Sequence, residues 1–320
     1  MEQNDPLSKL IRAAGRREPV PAEARARVLA AVRSEWKGTV RRRNVRRWSV
    51  WLSSTVAAGV MAGLLLTYFR GVPEAPGVAA VAFVEGRPFS GQTALNIGAK
   101  IQPGSVVSTS AQDRVSLTLS GGQSLRLDRS SRVKFISAEQ MVLEAGAIYA
   151  DSNVTPGIPK TSLEIRTDAG VVRNLGTQFE VREQADGVRI RVREGTVSLE
   201  QKSGKTQAGV GEQLSAANLD APPVRSTVPP DHPDWQWAST CAPAFELDGA
   251  TLPEFLKWAA REQGLKVEFA SAATREAISG VKLHGNMQGM TPQEALDSVL
   301  PASGLSYHVH AGVLTVSLER

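Results

Sequence analysis

Few residues in this chain could serve as nucleophiles or metal ligands. There is one cysteine, Cys241, and there are four histidines, His232, His284, His308 and His310. A single thiol forms no intramolecular disulfide. Lying beside Trp235 and Trp237, it is expected as a small packed residue rather than a reactive one. His308 and His310 are two apart in an alternating segment and therefore share a face. With no thiol or carboxylate at ligand spacing, they are expected at the surface. No G-x-S-x-G elbow, phosphate-binding loop, H-E-x-x-H pair or Cys/His cluster is present. Asp and Glu abound, but no spacing places two of them on one site. No catalytic, cofactor-binding or metal-binding residue is assigned, and a non-enzymatic protein is expected. Such a protein works through its elements, so their arrangement carries the functional reading.

The dominant element is Trp48–Phe69, WSVWLSSTVAAGVMAGLLLTYF, 22 residues without a charge. At about 1.5 Å per residue such a helix spans the ~30 Å hydrocarbon core of a bilayer. Trp48 and Trp51 at one end and Tyr68 and Phe69 at the other suit the two interfaces. Five arginines lie within Arg41–Arg47, whereas only Arg70 follows closely. The positive-inside rule thus predicts a cytoplasmic N-terminus and an exported C-terminus, periplasmic if the membrane is a bacterial inner membrane. A buried core helix would show a polar face. A cleaved signal peptide would have a shorter apolar region and would not follow a 47-residue leader. Gly59 and Gly63 form a GxxxG pair, continued by Ser54, Ala58 and Ala62, which would allow close helix approach in a homodimer.

The formal charge of +5 is unevenly distributed. Residues 1–47 hold 13 Lys/Arg against 5 Asp/Glu, and the remainder holds 24 against 27. The basicity is therefore a membrane-proximal property suited to anionic lipid, and the exported part has no nucleic-acid footprint. In the leader, Leu7, Leu10 and Ile11 fall at helical spacing. A second helix is expected from Pro21 to about Lys37, with Val28, Leu29, Val32 and Trp36 on one face. Neither helix can bury its stripe alone. The stripe must meet its neighbour, the membrane surface or another protein.

From about 78 to 217 apolar residues alternate. Val115, Leu117 and Leu119 precede Ser120-Gly121-Gly122, and Leu125 and Leu127 follow. Val188, Ile190 and Val192 precede Glu194-Gly195, and Val197 and Leu199 follow. This is the period of half-buried strands joined by tight turns, and it predicts an all-β sandwich or a short coiled solenoid. Residues 218–243 hold many prolines with Trp235 and Trp237 and are expected as a linker. From 244 to 320 a repeat recurs at an offset of 40 residues: Thr251/Thr291, Glu254/Glu294, Leu256/Leu296 and Gly264/Gly304. Each Thr-x-x-Glu is a capping box, Pro253 and Pro292 sit early in their helices, and each glycine ends one. The predicted order is βαββαββ, a small α+β layer. The fold class expected is therefore mainly β with a small α+β domain and a single transmembrane helix.

The run Val172–Val181 (VRNLGTQFEV), followed by Val188–Leu199 (VRIRVREGTVSL), resembles the LGTxFxV … VxVxEGxVxV signature of the FecR family. Leu119–Leu127 is similar to that family's upstream LPDGSxVxL hairpin, with Ser120-Gly121 in place of Pro-Asp. The matching residues read as fold: Gly176 and Gly195 as turns, Phe179 and Val181 as core. Residues 244–320 resemble the short N-terminal module of secretins and TonB-dependent receptors, a docking unit also found at the C-terminus of FecR-type proteins. The resemblance implies a single-pass inner-membrane regulator of an extracytoplasmic-function sigma factor. Its cytoplasmic leader would hold the sigma factor, and its C-terminal domain would meet the signalling domain of a TonB-dependent outer-membrane receptor. Iron transport is implied in the same way. The family's cytoplasmic domain is longer than 47 residues, and this leader holds no Cys or His. A zinc-binding anti-sigma module is thus excluded, and a short helical clamp that folds on binding is the form expected. The alternative is a membrane-anchored periplasmic scaffold or binding protein without sigma-factor activity.

Overall fold

The computed structural model describes residues 76–152, 162–174 and 176–319, with Ala22, Glu23, Ala26, Arg27 and Ala30 of the leader. The chain divides into two compact units, Met1–Glu74 and Ala75–Arg320. In the first, the five described residues are helical and exposed, within the span expected to be a helix. Trp48–Phe69, with Gly59 and Gly63, lies outside the described residues, as does the rest of the leader. Among the described residues no helix is long and apolar enough to cross a membrane.

The second unit is mainly β. Its strands are β1 Ala79–Glu85, β2 Phe89–Ser90, β3 Thr93–Ala94, β4 Lys100–Ile101, β5 Val106–Ser108, β6 Arg114–Leu119, β7 Ser124–Leu127, β8 Arg132–Phe135 and β9 Gln140–Asp151. They continue as β10 Glu164–Thr167, β11 Gly170–Asn174, β12 Gln178–Gln184, β13 Gly187–Glu194, β14 Val197–Gln201, β15 Gly204–Ala208, β16 Glu212–Ala216 and β17 Val224–Thr227. Successive hairpins alternate between two sheets. Sheet A holds β6–β7, β12–β13 and β16–β17, and sheet B holds β10–β11 and β14–β15. Both expected descriptions apply, since hairpins coil as in a solenoid while the two sheets enclose one core as in a sandwich.

The alternating residues named above are that core. Leu117, Leu125, Phe179, Val181 and Ile190 from sheet A meet Val133, Met141, Ile165, Val172 and Leu199 from sheet B, all fully buried. Strand β9 belongs to both sheets. Its first half pairs with β8 and runs parallel to β10, and its second half pairs with β7 and β12. The crossing point is Gly146, at φ 78°. A side chain there would lie 2.5 Å from the Ser131 Cα, so glycine serves both the positive φ and the close approach.

The proline-rich stretch expected as a linker is packed. Val224–Thr227 extends sheet A beside β16. A single 3₁₀ turn, Pro233–Trp235, then leads into α1, Gln236–Thr240. Trp235, Trp237, Ala238 and Cys241 bury themselves on the outer face of sheet A against Ala147 and Tyr149. The two indoles meet the Tyr149 ring edge-on, at 6.0 and 6.4 Å between centroids. Prolines end strands as readily as they mark free chain, and two tryptophans supply more apolar area than a solvated linker would expose.

The C-terminal module contains α2 Leu252–Gln263, β18 Lys266–Phe269, α3 Ala272–Ile278, α4 Pro292–Ala302, β19 Leu305–His310 and β20 Val313–Leu318. Both capping boxes form as expected, and Gly264 and Gly304 take left-handed backbone, at φ 71° and 67°. Helices α2 and α4 cover one face of a sheet ordered β18-β20-β19. The expected βαββαββ order is corrected. The segments before α2 and before α4 form no strand and meet only in an isolated antiparallel bridge, Thr251↔Lys282. Helix α3 follows β18 in the chain and packs against β18 and β20. Its N-cap Ser271 accepts from the Thr274 amide, and the Ala-Ala-Thr-Arg-Glu-Ala run that follows tolerates a helix.

Candidate docking site and its clamp to the β domain

Sheet A presents a polar row on its outer face. In register across six strands lie Ser116, Arg126, Tyr149, Glu180, Arg191 and Gln213 on β6, β7, β9, β12, β13 and β16. On an open sheet such outward residues would be solvated. Here α1 and the end of α2 lie over them, and Arg126 and Glu180 are fully buried.

Arg126 anchors the arrangement. Its guanidinium donates to both Glu262 carboxylate oxygens, at 2.8 and 2.9 Å, and to the Ala238 carbonyl at 2.7 Å. Its Cζ lies 4.9 Å from the centre of the Tyr149 ring. Burial alone would depress its pKa, but the Glu262 carboxylate more than offsets this and holds it above the usual arginine value. The adjacent helical residue repeats the device: Arg261 donates through Nη1 and Nη2 to the buried Asp151 carboxylate, Nη2 at 2.6 Å, and through Nε to Glu194 at 3.1 Å. Arg193 donates to the Glu262 carbonyl at 3.0 Å and to the Pro230 carbonyl at 2.7 Å. Ser239 Oγ donates to the Glu262 carbonyl at 2.5 Å. The last turn of α2 is thus gripped from β7, β9, β13 and α1.

A second cluster surrounds Glu180. Its carboxylate accepts from Trp237 Nε1 at 2.8 Å and from Arg189 at 3.0 Å. Arg182 bridges Glu180 to Asp128, whose carboxyl stays below its ordinary range: burial raises it, but the Arg182 and Arg114 hydrogen bonds prevail. Together the clusters fix α1 and the C-terminal module against the β domain with charge-assisted, partly bidentate contacts.

Beyond the clamp, α2, β18 and the β domain enclose a cleft of about 590 Å³. Val267 and Phe269 of β18, Leu256 and Pro253 of α2, and the exposed Val210 of the β domain supply its apolar wall. The Lys266 amide donates to the Gly312 carbonyl and the Ala270 amide to the Val316 carbonyl, so residues of that parity face β20. Val267 and Phe269 turn their backbone groups the other way, toward the cleft, where no strand pairs with them among the described residues.

Cys241 is fully buried, its thiol directed at the Trp237 carbonyl at 3.2 Å, and burial pushes its pKa up to about 12. It is a packed residue, as expected. His308 and His310 are exposed on β19, His284 meets Asp248 at 2.9 Å, and His232 accepts from the Asp234 amide. No group of three or more potential metal ligands forms among the described residues. Phe179 and Val181 are core, and Gly176 and Gly195 adopt positive φ. The clamp residues were missed in the sequence. The signal available was the charge at alternate outward positions Glu180, Arg182, Arg189, Arg191 and Arg193, which resembles a solvated face until a partner covers it.

Residues 105–198 match the family described as FecR protein. The FecR match begins at β5, runs into β14 and includes every sheet A strand of the clamp. No curated protein matches the chain. Two solved structures of a proposed anti-sigma factor from Parabacteroides distasonis ATCC 8503, at 2.50 and 1.65 Å resolution, are each 12% identical with a TM-score of 0.36. They cover 67% and 66% of this chain and 98% and 97% of their own.

Proposed function

We propose that this chain is a single-pass inner-membrane signal transducer that regulates an extracytoplasmic-function sigma factor, without catalytic activity of its own. The FecR match over residues 105–198 carries the reading. In it, Trp48–Phe69 anchors the chain, the leader holds the sigma factor in the cytoplasm, and the C-terminal module receives a periplasmic protein, such as the signalling domain of a TonB-dependent receptor. The clamp supplies the physical link between module and FecR-matching domain: a partner that binds α2 differently in two arrangements of Arg126–Glu262 and Arg261–Asp151 would bias both. A homodimer through Gly59 and Gly63 belongs to the same proposal.

The test is a pull-down with the full chain and with a variant lacking residues 1–37, against the sigma factors of the host. Retention of one sigma factor by the full chain alone is expected. Equal retention by both would overturn the role given to the leader. A periplasmic-side reporter at the C-terminus should be active and a cytosol-only reporter silent.

A further inference from the structure

We propose that the free edge of β18 is a docking site for an extended segment of another protein, apolar at alternate positions and net acidic. The inference rests on the reading that the C-terminal module receives a protein, and adds which edge is used and what chemistry it selects.

Three observations converge on this edge. The backbone N–H and C=O groups of Val267 and Phe269 point away from β20, so an added strand would find hydrogen-bonding groups already aligned. Beside that edge the cleft offers an apolar wall, Leu256, Val267, Phe269 and Val210, at the depth where every second side chain of an added strand would fall. The charge around the cleft is unbalanced. Arg193, Lys257, Arg261 and Lys266 line it with a single carboxylate, Glu194. Arg193 and Arg261 are committed to the clamp, and Arg261 already holds Glu194. Lys257 and Lys266 are exposed and form no ion pair among the described residues. Arg275 adds a further cation, its guanidinium 5.4 Å from the Phe269 ring centre. Glu268 shares the exposed face of β18 with Lys266, two residues on, but does not line the cleft, so the acidic positions of the occupant belong opposite Lys266 and toward Lys257. The other free edge, β19, has no such excess: its exposed residues are Ser306, His308, Val309 and His310.

The test uses the full-length chain and labelled ten-residue peptides alternating valine with glutamate or threonine, against counterparts carrying lysine for glutamate, read by fluorescence anisotropy. The acidic peptide should bind at least tenfold more tightly. Val267→Pro removes an edge-facing N–H without costing a sheet hydrogen bond, and should weaken binding at least tenfold. Lys257→Glu with Lys266→Glu should invert the charge preference, which keeps the proposal testable if the proline variant fails to fold. Equal binding of both peptides, or undiminished binding by a folded Val267→Pro chain, would overturn it. Self-association lost in Val267→Pro and unaffected by the peptide would assign the edge to a second copy instead and equally overturn it. The sigma-factor pull-down depends on the leader and not on this edge, so the broader reading stands or falls separately.

Discussion

The two faces of sheet A bury side chains by opposite means. The inner face contributes Leu117, Leu125, Phe179, Val181 and Ile190 to a dry apolar core. The outer face, one residue out of step on the same strands, buries Arg126, Glu180 and Asp151 under α1 and α2. Apolar burial is non-directional and tolerates repacking. Buried charge requires its own partner at its own distance, and a lost partner leaves an unpaired ion. The inner face therefore holds the fold, and the outer face specifies which surface lies over it. Tyr149 Oη, Arg126 Nε and Ser116 Oγ are moreover buried without a hydrogen-bond partner among the described residues.

The sharpest way to break the comparison is to remove one charge. Glu262→Ala strands Arg126 and is expected to cost about 3–5 kcal/mol, comparable to the ~3–5 kcal/mol of Phe179→Ala in the apolar core. The two should separate in a second variant. Arg126→Met with Glu262→Leu replaces the ion pair by apolar groups and should recover most of the loss in denaturant unfolding. No partner substitution should rescue Phe179→Ala to the same degree.

A smaller effect concerns pH. Glu183 is half-buried at the end of β12, and burial, with the nearby Asp168 carboxylate, raises its pKa from 4.5 to about 7. The folded state then binds the proton more tightly than the unfolded chain, so stability falls as pH rises from about 4.5 to about 7. Glu183→Gln should flatten that fall by on the order of 1–2 kcal/mol in pH-dependent melting, after allowance for solvent screening. An unchanged slope would place the titration elsewhere. The smallest expected effect is in the C-terminal module. Thr251→Ala removes one capping-box acceptor and should cost about 1 kcal/mol, with Thr291→Ala similar, because the two boxes have the same geometry. Inequality between them would show that α2 draws additional support from the clamp.

Much of the fold was legible because local rules acted alone. Alternation at Val115–Leu127 and Val188–Leu199 marked strands whose apolar side has one place to go. Thr251–Glu254 and Thr291–Glu294 marked helix starts because a capping box satisfies its donors within four residues. Helix α3 was missed because Ser271 and a short Ala-rich run make a weak helix that tertiary contacts of Thr274 and Ile278 complete. The proline-rich segment was misread because its composition speaks of turns, whereas Trp235 and Trp237 are decided by the surface they find.

What the sequence alone determined, then, was each element's type and its apolar side, since both follow from residue spacing along a few turns or strands. Only the tertiary structure decided that Arg126 meets Glu262, 136 residues apart, and that Arg261 meets Asp151 at 110. A charged side chain at an outward position has the same local pattern in water and in an interface. What separates the two cases is whether another element comes to cover it, and that depends on the whole chain.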